Sequence, residues 1–533
     1  MQDDTPQPRF LGWPDDKYAV IGRLAKAKPT LRIFIKTKDD AEMLSKWYAH
    51  HKKIVPTWAI TIFDNGSTDP DCLAFYAQLP PETMVVRFQG FHNGLHMTTE
   101  YPELYAALVK SCRYFTFIDC DEYLCHYDGQ TLRMDESIVD PLIEATDDAI
   151  PTTRLDNYPG RSDQYPVSDA TLKNGTIWGK PILRSNFIPI GHINHNCQIS
   201  NLHYAAPFEA GYILLHLNRL DAEQRIKANL RKLKQRRFGA GGDMLSAALA
   251  ADADAIADSA TRHYVSEVQV LKKTPYDDEN HPLHKAHETD GIMTIGESGP
   301  SVDFTGEGTQ ALLTAHMTTP AAQATIIRRK KKGARAYPYA RRDLSHDPYM
   351  TESEGILFSN FLYKKSFLLE FGSGGSTVLA AAMRIPKIVS VDSSKEWLDS
   401  LSAAEELQEK DFTAKHVDIG PLANWGNPAD TSNAYNWPTY YTDIWAELGD
   451  ARPDIVLVDG RFRVACVLQT LLMCPPETII VIHDFWKRDC YHVILKHLKT
   501  VARCDQLGIF KAKDKVDWRQ LAIDLSHHSV DYR

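Results

Sequence analysis

Short runs of β-forming, mostly apolar residues alternate with helical stretches twice along this chain, and that alternation constrains the fold most. Between Leu31 and about Asp121 the runs are "LRIFIK", "TWAITIF", "TMVVRF" and "YFTFI", separated by "DDAEMLSKWYAHHKK", a short helix and a helix near 100–112. Such alternation predicts a mostly parallel, helix-covered sheet. It returns after about residue 346 with "SFLLEF", "PKIVSV", "FTAKHV", "PDIVLV" and "TIIVI". A chain of 533 residues exceeds one ordinary core, since domains run to ~100–200 residues. The expected organisation is an N-terminal extension (1–30), a first α/β domain (31–238), a partly helical connector (239–345) and a second α/β domain (346–533).

In the first helix Met43, Leu44, Trp47, Tyr48 and His51 fall at helical spacing, which reads as a core stripe with His51 at its boundary. The connector holds "GAGG", the Ala-rich "MLSAALAADADAIADSA" and a Gly-rich polar stretch. Two basic runs, 225–237 and 328–332, read as solvated faces or as contacts for anionic ligands.

Composition narrows the class. The chain is 43% hydrophobic and 24% charged, and no apolar run reaches the ~18 residues that cross a membrane. Its opening lacks the basic start and apolar core of a signal peptide, so a cytoplasmic chain is expected, with peripheral membrane association left open. A net charge of −9 gives no general attraction to nucleic acid. Nine scattered cysteines without a CxxC pair fit neither a disulfide framework nor a zinc knuckle, and are expected to be reduced and mostly buried.

The segment "YFTFIDCDEYL" runs a strand into Asp119, Asp121 and Glu122. Three acids this close repel one another and lose hydration unless a cation or hydrogen-bond donors compensate. A divalent ion is the economical compensator; oxygen ligands suit Mg²⁺ or Mn²⁺, which bridges readily to a diphosphate. Upstream, "FDNGSTD" places Asp64, Asn65 and Gly66 in a turn after a strand, where ligands of open α/β sheets sit.

"KTKDDAEMLSKWYAHH", "FDNGSTD" and "FIDCDEYL", in that order, resemble glycosyltransferases of the GT-A fold, the family-2-like and family-92-like group, over about 31–220. The resemblance implies a nucleotide-sugar donor and a saccharide acceptor. It places Asp64 and Asn65 near the base or ribose, and Asp119 and Asp121 at a Mn²⁺ or Mg²⁺ ion, with Glu122 orienting the loop. The family's usual Lys-Asn-Glu appears as Lys38, Asp39 and Asp40. "WGKPILRSNFIPIGHINHN" and "GYILLHLNRL" resemble its downstream part, which makes Lys180 a donor contact and His195 and His216 candidate metal ligands. Glu209 is the candidate carboxylate base if the transfer is inverting.

In the second domain "LLEFGSGGSTVLAAAM" runs a strand through Gly372, Gly374 and Gly375 into a helix, and the next strand ends in Asp392. Glycines let the backbone approach a ligand at a helix N-terminus, and a carboxylate there accepts ribose hydroxyls. A dinucleotide dehydrogenase shares this logic. The fuller order, with "HVDIG" and "PDIVLVDG", resembles class I S-adenosylmethionine-dependent methyltransferases, including catechol-type and glucuronoxylan-type enzymes. By that resemblance Glu370, Gly372, Gly374 and Gly375 line the methionine side, Asp392 holds the ribose and Asp418 lies near the adenine. The reaction end falls at Asp459, His483 and Asp484, which either bind a second divalent metal or supply His483 as general base. Arg461 and Arg463 either clamp an anionic sugar or serve the surface.

The expected protein is therefore a bifunctional enzyme that transfers a sugar and O-methylates a saccharide in surface-polysaccharide synthesis. Two alternatives stand beside it: a methyltransferase with a non-catalytic glycan-binding module, and a non-enzymatic scaffold of two degenerate nucleotide folds.

Overall fold

A computed structural model describes residues 10–193, 195, 211–239, 243–296, 301–318 and 344–533. Glu209 and the basic run 328–332 lie outside the described residues.

The first domain is built on a seven-stranded sheet. Its order is Leu11–Gly12, Met84–Arg87, Ile60–Asp64, Leu31–Thr37, Tyr114–Phe117, Ile182–Arg184 and Ala149–Ile150. The first five strands are parallel, and the last two join antiparallel. Every residue of Leu31–Thr37 is buried, as a parallel strand covered on both faces requires. The residues before 31 are part of this sheet, since Leu11 and Gly12 pair with Val86 and Arg87.

The acidic segment is the turn between Tyr114–Phe117 and a new strand, Glu122–Tyr127. That new strand belongs to a second sheet of order Leu132–Arg133, Glu122–Tyr127, Tyr212–His216, Thr153–Asp156. The chain thus changes sheets at Asp119–Asp121, which frees three carboxylates at one edge.

The described residues of 239–318 add structure to the first domain. Gly291–Ile295 pairs antiparallel with Gln164–Val167, and helix Ser259–Lys273 packs Val265, Val268 and Leu271 against Ile226 and Leu233 of helix Ala222–Gln235.

The second domain holds a seven-stranded sheet: Phe367–Phe371, Lys387–Asp392, Asp411–His416, Ile455–Val458, Ile479–Ile482, Leu498–Cys504 and Leu507–Ala512. Numbered one to seven in that order, they lie 3-2-1-4-5-7-6. Strands one to five are parallel, and the seventh inserts antiparallel beside the fifth. The order reverses between the first and fourth strands, the switch point at which open α/β sheets bind ligands.

The two domains share apolar packing. Helix Pro102–Ser111 buries Leu104 and Leu108 in the same cluster as Ile356 and Leu357 of helix Glu352–Leu362. Polar groups fix the seam: buried Glu103 accepts from the Arg503 backbone N–H at 2.9 Å and pairs with Lys17 at 2.5 Å. Asp505 takes Lys110 from one side and the Thr351 hydroxyl, at 2.8 Å, from the other.

Candidate functional sites

At the first site each acid has a distinct partner. Asp119 lies between two lysines, Lys36 at 2.6 Å and Lys180 at 2.7 Å. Burial opposes its charge, yet Lys180 and Lys36 hold it well below the ordinary carboxylate range. Glu122 accepts the Asp119 backbone N–H at 2.9 Å and lies 3.9 Å from Lys180; burial raises its pKa.

Asp121 faces His216, Oδ2 to Nε2, at 3.2 Å. Sheet register causes the meeting: His216 sits opposite Glu122 on one neighbouring strand and Asp156 on the other. Its Nδ1 lies 2.7 Å from Asp156, whose carboxylate also takes Arg154 at 2.9 Å and Arg219 at 3.1 Å. Burial works against a charged ring, but Asp121 and Asp156 raise the His216 pKa.

Among the described residues no three His, Cys, Asp or Glu side chains converge as a ready metal cage. Asp121 and His216 nonetheless fit a small oxygen-preferring ion. Their 3.2 Å separation is close to the ~3 Å edge between neighbouring ligands of an octahedral ion, and such ions complete their shells with phosphate oxygens and water. Asp156 on the far nitrogen is the usual second support of a metal-binding histidine. His195 is not brought into this pair: its Nδ1 is 2.8 Å from the Trp178 carbonyl.

The place near the base or ribose expected of Asp64 is corrected. Asp64 is fully buried and accepts from Ser67, Tyr76 at 3.2 Å and Arg87 at 3.1 Å, so it orders its own turn and presents nothing to the cleft. Asn65 donates to the Gly90 carbonyl at 3.3 Å. Lys38 is exposed, whereas Lys36, which the sequence hid within an apolar strand, reaches the acids. His96 was also missed. It is fully buried, neither ring nitrogen has a hydrogen-bond partner among the described residues, and burial, then Lys36 and Lys180, depress its pKa.

At the second site Gly372 has φ +94°, and a Cβ there would lie 2.3 Å from the Gly460 nitrogen. Gly375 would strike the Asp347 backbone at 2.2 Å. Gly374 differs: a Cβ would meet only Trp397, at 4.0 Å, so open space lies before this turn. Asp392 accepts the Ser373 and Ser394 backbone N–H groups at 2.9 Å each, while burial raises its pKa. Glu370 is corrected. It is fully buried, accepts from Ser376, Thr377 and Ser390, and burial lifts its pKa to about 7, so it braces the glycine turn from behind. Asp418 is exposed; its carboxylate takes the Gly420 N–H and its carbonyl the amides of Asn433 and Asn436.

His483 lies between Asp459, 3.2 Å from Nδ1, and Glu354, 3.6 Å from Nε2. Burial opposes protonation, but bonds to both acids push its pKa up to about 10. Both ring nitrogens so held face acids, which leaves no free lone pair to take up a proton and disfavours the general-base reading in this arrangement. Nor does the donor set fit a second divalent ion: Asp459 is shared by His483 and Arg463 at 3.1 Å, and Asp484 pairs with Arg488 at 2.6 Å. Glu354, from the interdomain helix, was not read from sequence. The stability this ring supplies is whole below its ordinary pKa of 6.5 and is lost as pH rises through about 10. His483→Gln is therefore expected to cost about 1.5–3 kcal/mol at neutral pH and to flatten the alkaline fall in thermal midpoint. An unchanged alkaline slope would refute the clamp.

No family model and no curated protein matches the chain. Among solved structures it is similar to a methyltransferase-like protein from Silicibacter pomeroyi, at 26% identity over 35% of this chain and 98% of that one, TM-score 0.32. It is also similar to a mannosyltransferase from Pyrobaculum calidifontis in complex with GDP-Man and Mn²⁺, at 12% identity over 48% of this chain and 93% of that one, TM-score 0.22. A third is the C-terminal domain of a precorrin-6Y methyltransferase from Rhodobacter capsulatus, at 12% identity over 33% and 98%, TM-score 0.22. The mixed α/β class expected from the strand pattern is the class observed. Among the described residues no helix is long and apolar enough to cross a membrane.

Proposed function

We propose that this chain is a bifunctional glycan-modifying enzyme: the first domain transfers a sugar from a nucleotide-sugar, and the second O-methylates a saccharide with S-adenosylmethionine. The observation that carries the reading is the pairing, in one chain, of the Asp121–His216–Asp156 array with the Gly372–Asp392 cradle, each at the edge where its sheet binds ligands. Both domains working on one growing saccharide would gain from tethering, which suits assembly of a surface polysaccharide.

In the first domain Asp121 and His216 would hold Mn²⁺ or Mg²⁺, whose charge would offset that of a departing diphosphate. Lys36 and Lys180 fix Asp119 beside that place. Asp156 orients His216, so Asp156→Asn is expected to lower Mn²⁺ affinity about 10–100-fold without unfolding the domain; calorimetry with Mn²⁺ checks this, and unchanged affinity would remove His216 as a ligand.

In the second domain the Gly372–Gly375 turn and Asp392 would hold S-adenosylmethionine, which supplies an electrophilic methyl group. An acceptor hydroxyl oxygen would bond to the methyl carbon as the carbon–sulfur bond breaks, its proton passing to a carboxylate. Asp484 is partly exposed at the end of the fifth strand, and we assign it that role. The decisive test is mass spectrometry of candidate oligosaccharides incubated with the protein, UDP- or GDP-sugars, Mn²⁺ and S-adenosylmethionine. A sugar increment followed by one methylene supports the proposal. Absence of binding to all donors would leave the scaffold reading.

A further inference from the structure

Two aromatic side chains near the second site are left in solvent: Trp425 is 78% exposed and Tyr349 83%. Exposed aromatic surface gathered in one place marks an interaction site. Trp425 and Tyr349 come from segments 76 positions apart, yet their ring centroids lie 5.8 Å apart at 51°.

The two segments bracket the cofactor cradle. Residues 421–429 form a narrow loop closed by the Ala423 N–H on the Asn427 carbonyl at 2.7 Å and by a bridge between Leu422 and Pro428. Trp425 sits at its tip with φ +63°, a left-handed conformation that costs a non-glycine residue about 1–2 kcal/mol. On one flank a Cβ on Gly426 would lie 3.3 Å from the Ser393 hydroxyl, next to Asp392. On the other, Asn427 accepts from Arg461 at the end of the fourth strand. Tyr349 follows Asp347, whose backbone covers Gly375. The aromatic pair is therefore carried by segments that flank the cradle at Ser393, Arg461 and Gly375.

We propose that Trp425 and Tyr349 form a stacking platform for a sugar ring of the acceptor, which rests on the reading of this domain as a saccharide methyltransferase. The C–H groups of a pyranose face carry partial positive charge and match the negative face of an aromatic ring. Residues 420–438 contain no Lys or Arg, which disfavours phosphate-rich partners. Adenine is the competing occupant. Rings tilted by 51° and this exposed form an open ramp, whereas a planar base is gripped between parallel faces.

The test uses the full chain, Trp425→Ala and Tyr349→Ala, with cellohexaose, xylohexaose and mannohexaose as probes and S-adenosylmethionine titrated in parallel. At least one hexasaccharide should bind the wild type, and each variant should weaken it about tenfold while the S-adenosylmethionine Kd stays within about twofold. Two variants on separate segments guard against a local loss of loop structure. The proposal is overturned if no hexasaccharide binds, if binding is the same in both variants, or if S-adenosylmethionine affinity falls in step with the ring. Failure of the wild type to bind S-adenosylmethionine while saccharide binding still follows Trp425 would overturn the methyltransferase reading and leave the platform standing.

Discussion

Replacing Lys180 by methionine is expected to destabilise the first domain by about 3–5 kcal/mol, the cost of removing one partner from a buried charge cluster. The side chain is 1% exposed, with its ammonium 2.7 Å from Asp119 and 3.9 Å from Glu122. Methionine fills the volume and leaves Asp119 on Lys36 alone, so the effect isolates charge from packing. The pH dependence follows from the signs. Asp119 is held below its ordinary pKa of 3.8, so its contribution is present above that pH and is lost as pH falls through the lower folded value. Lys180 is raised above 10.5, so its contribution is whole below that pH and is lost as pH rises through the higher folded value. The gap between wild type and variant in urea unfolding should be widest near neutrality and should narrow toward acid. A gap constant from neutral to strongly acid pH would show that Lys180 acts through packing. Nucleotide-sugar affinity should fall as well, because Asp119 loses one of its two anchors.

That cluster shows where sequence reading succeeds and where it stops. Strand runs such as "LRIFIK" and "PDIVLV" are legible because a buried parallel strand is dominated by β-branched and other apolar residues. The acids at 119, 121 and 122 are legible because such charge is costly without a purpose. Of what compensates them, Lys180 and His216 were named through the family resemblance, but Lys36 and Asp156 were not legible. Lys36 lies inside a strand pattern, and Asp156 meets His216 only through the register of a second sheet, 60 positions away along the chain. Asp64 misled for a related reason: "FDNGSTD" specifies a turn, but whether its acid faces ligand or folds back on Ser67 and Arg87 depends on side chains elsewhere.

The C-terminal domain repeats the lesson with a different cause. Its glycines announce a tight turn, but Glu354 reaches His483 from a helix that also packs against the first domain, a relation created by tertiary packing alone. The same helix accounts for the interdomain seam. Its buried face, Ile356 and Leu357, looks from sequence like any amphipathic helix, and only its partner Leu104–Leu108 shows that it joins two domains.

Gly372→Ala should destabilise the second domain by about 2–6 kcal/mol, combining left-handed strain of about 1–3 kcal/mol with overpacking of about 1–3 kcal/mol. At φ +94° the added Cβ would meet the Gly460 nitrogen at 2.3 Å, its Cα at 2.4 Å and the Asp459 carbonyl carbon at 2.8 Å. These are backbone atoms of the facing turn, so relief requires the first and fourth strand ends to separate. Gly460 has no slack of its own, because a Cβ there would lie 2.4 Å from the Tyr440 hydroxyl. Separation displaces Asp459 and with it the His483 clamp, so S-adenosylmethionine affinity should drop at least about 100-fold, near 2.7 kcal/mol, even where the domain stays folded. Equilibrium dialysis with S-adenosylmethionine measures the loss, and Mn²⁺ affinity of the first domain serves as an internal control that should not move. Gly374→Ala provides the contrast: a Cβ there meets only Trp397 at 4.0 Å, so folding should be nearly unaffected while the methyl group intrudes on open space before the turn. If Gly374→Ala binds S-adenosylmethionine like the wild type and Gly372→Ala loses only stability, the turn is a packing device and the cofactor must lie elsewhere.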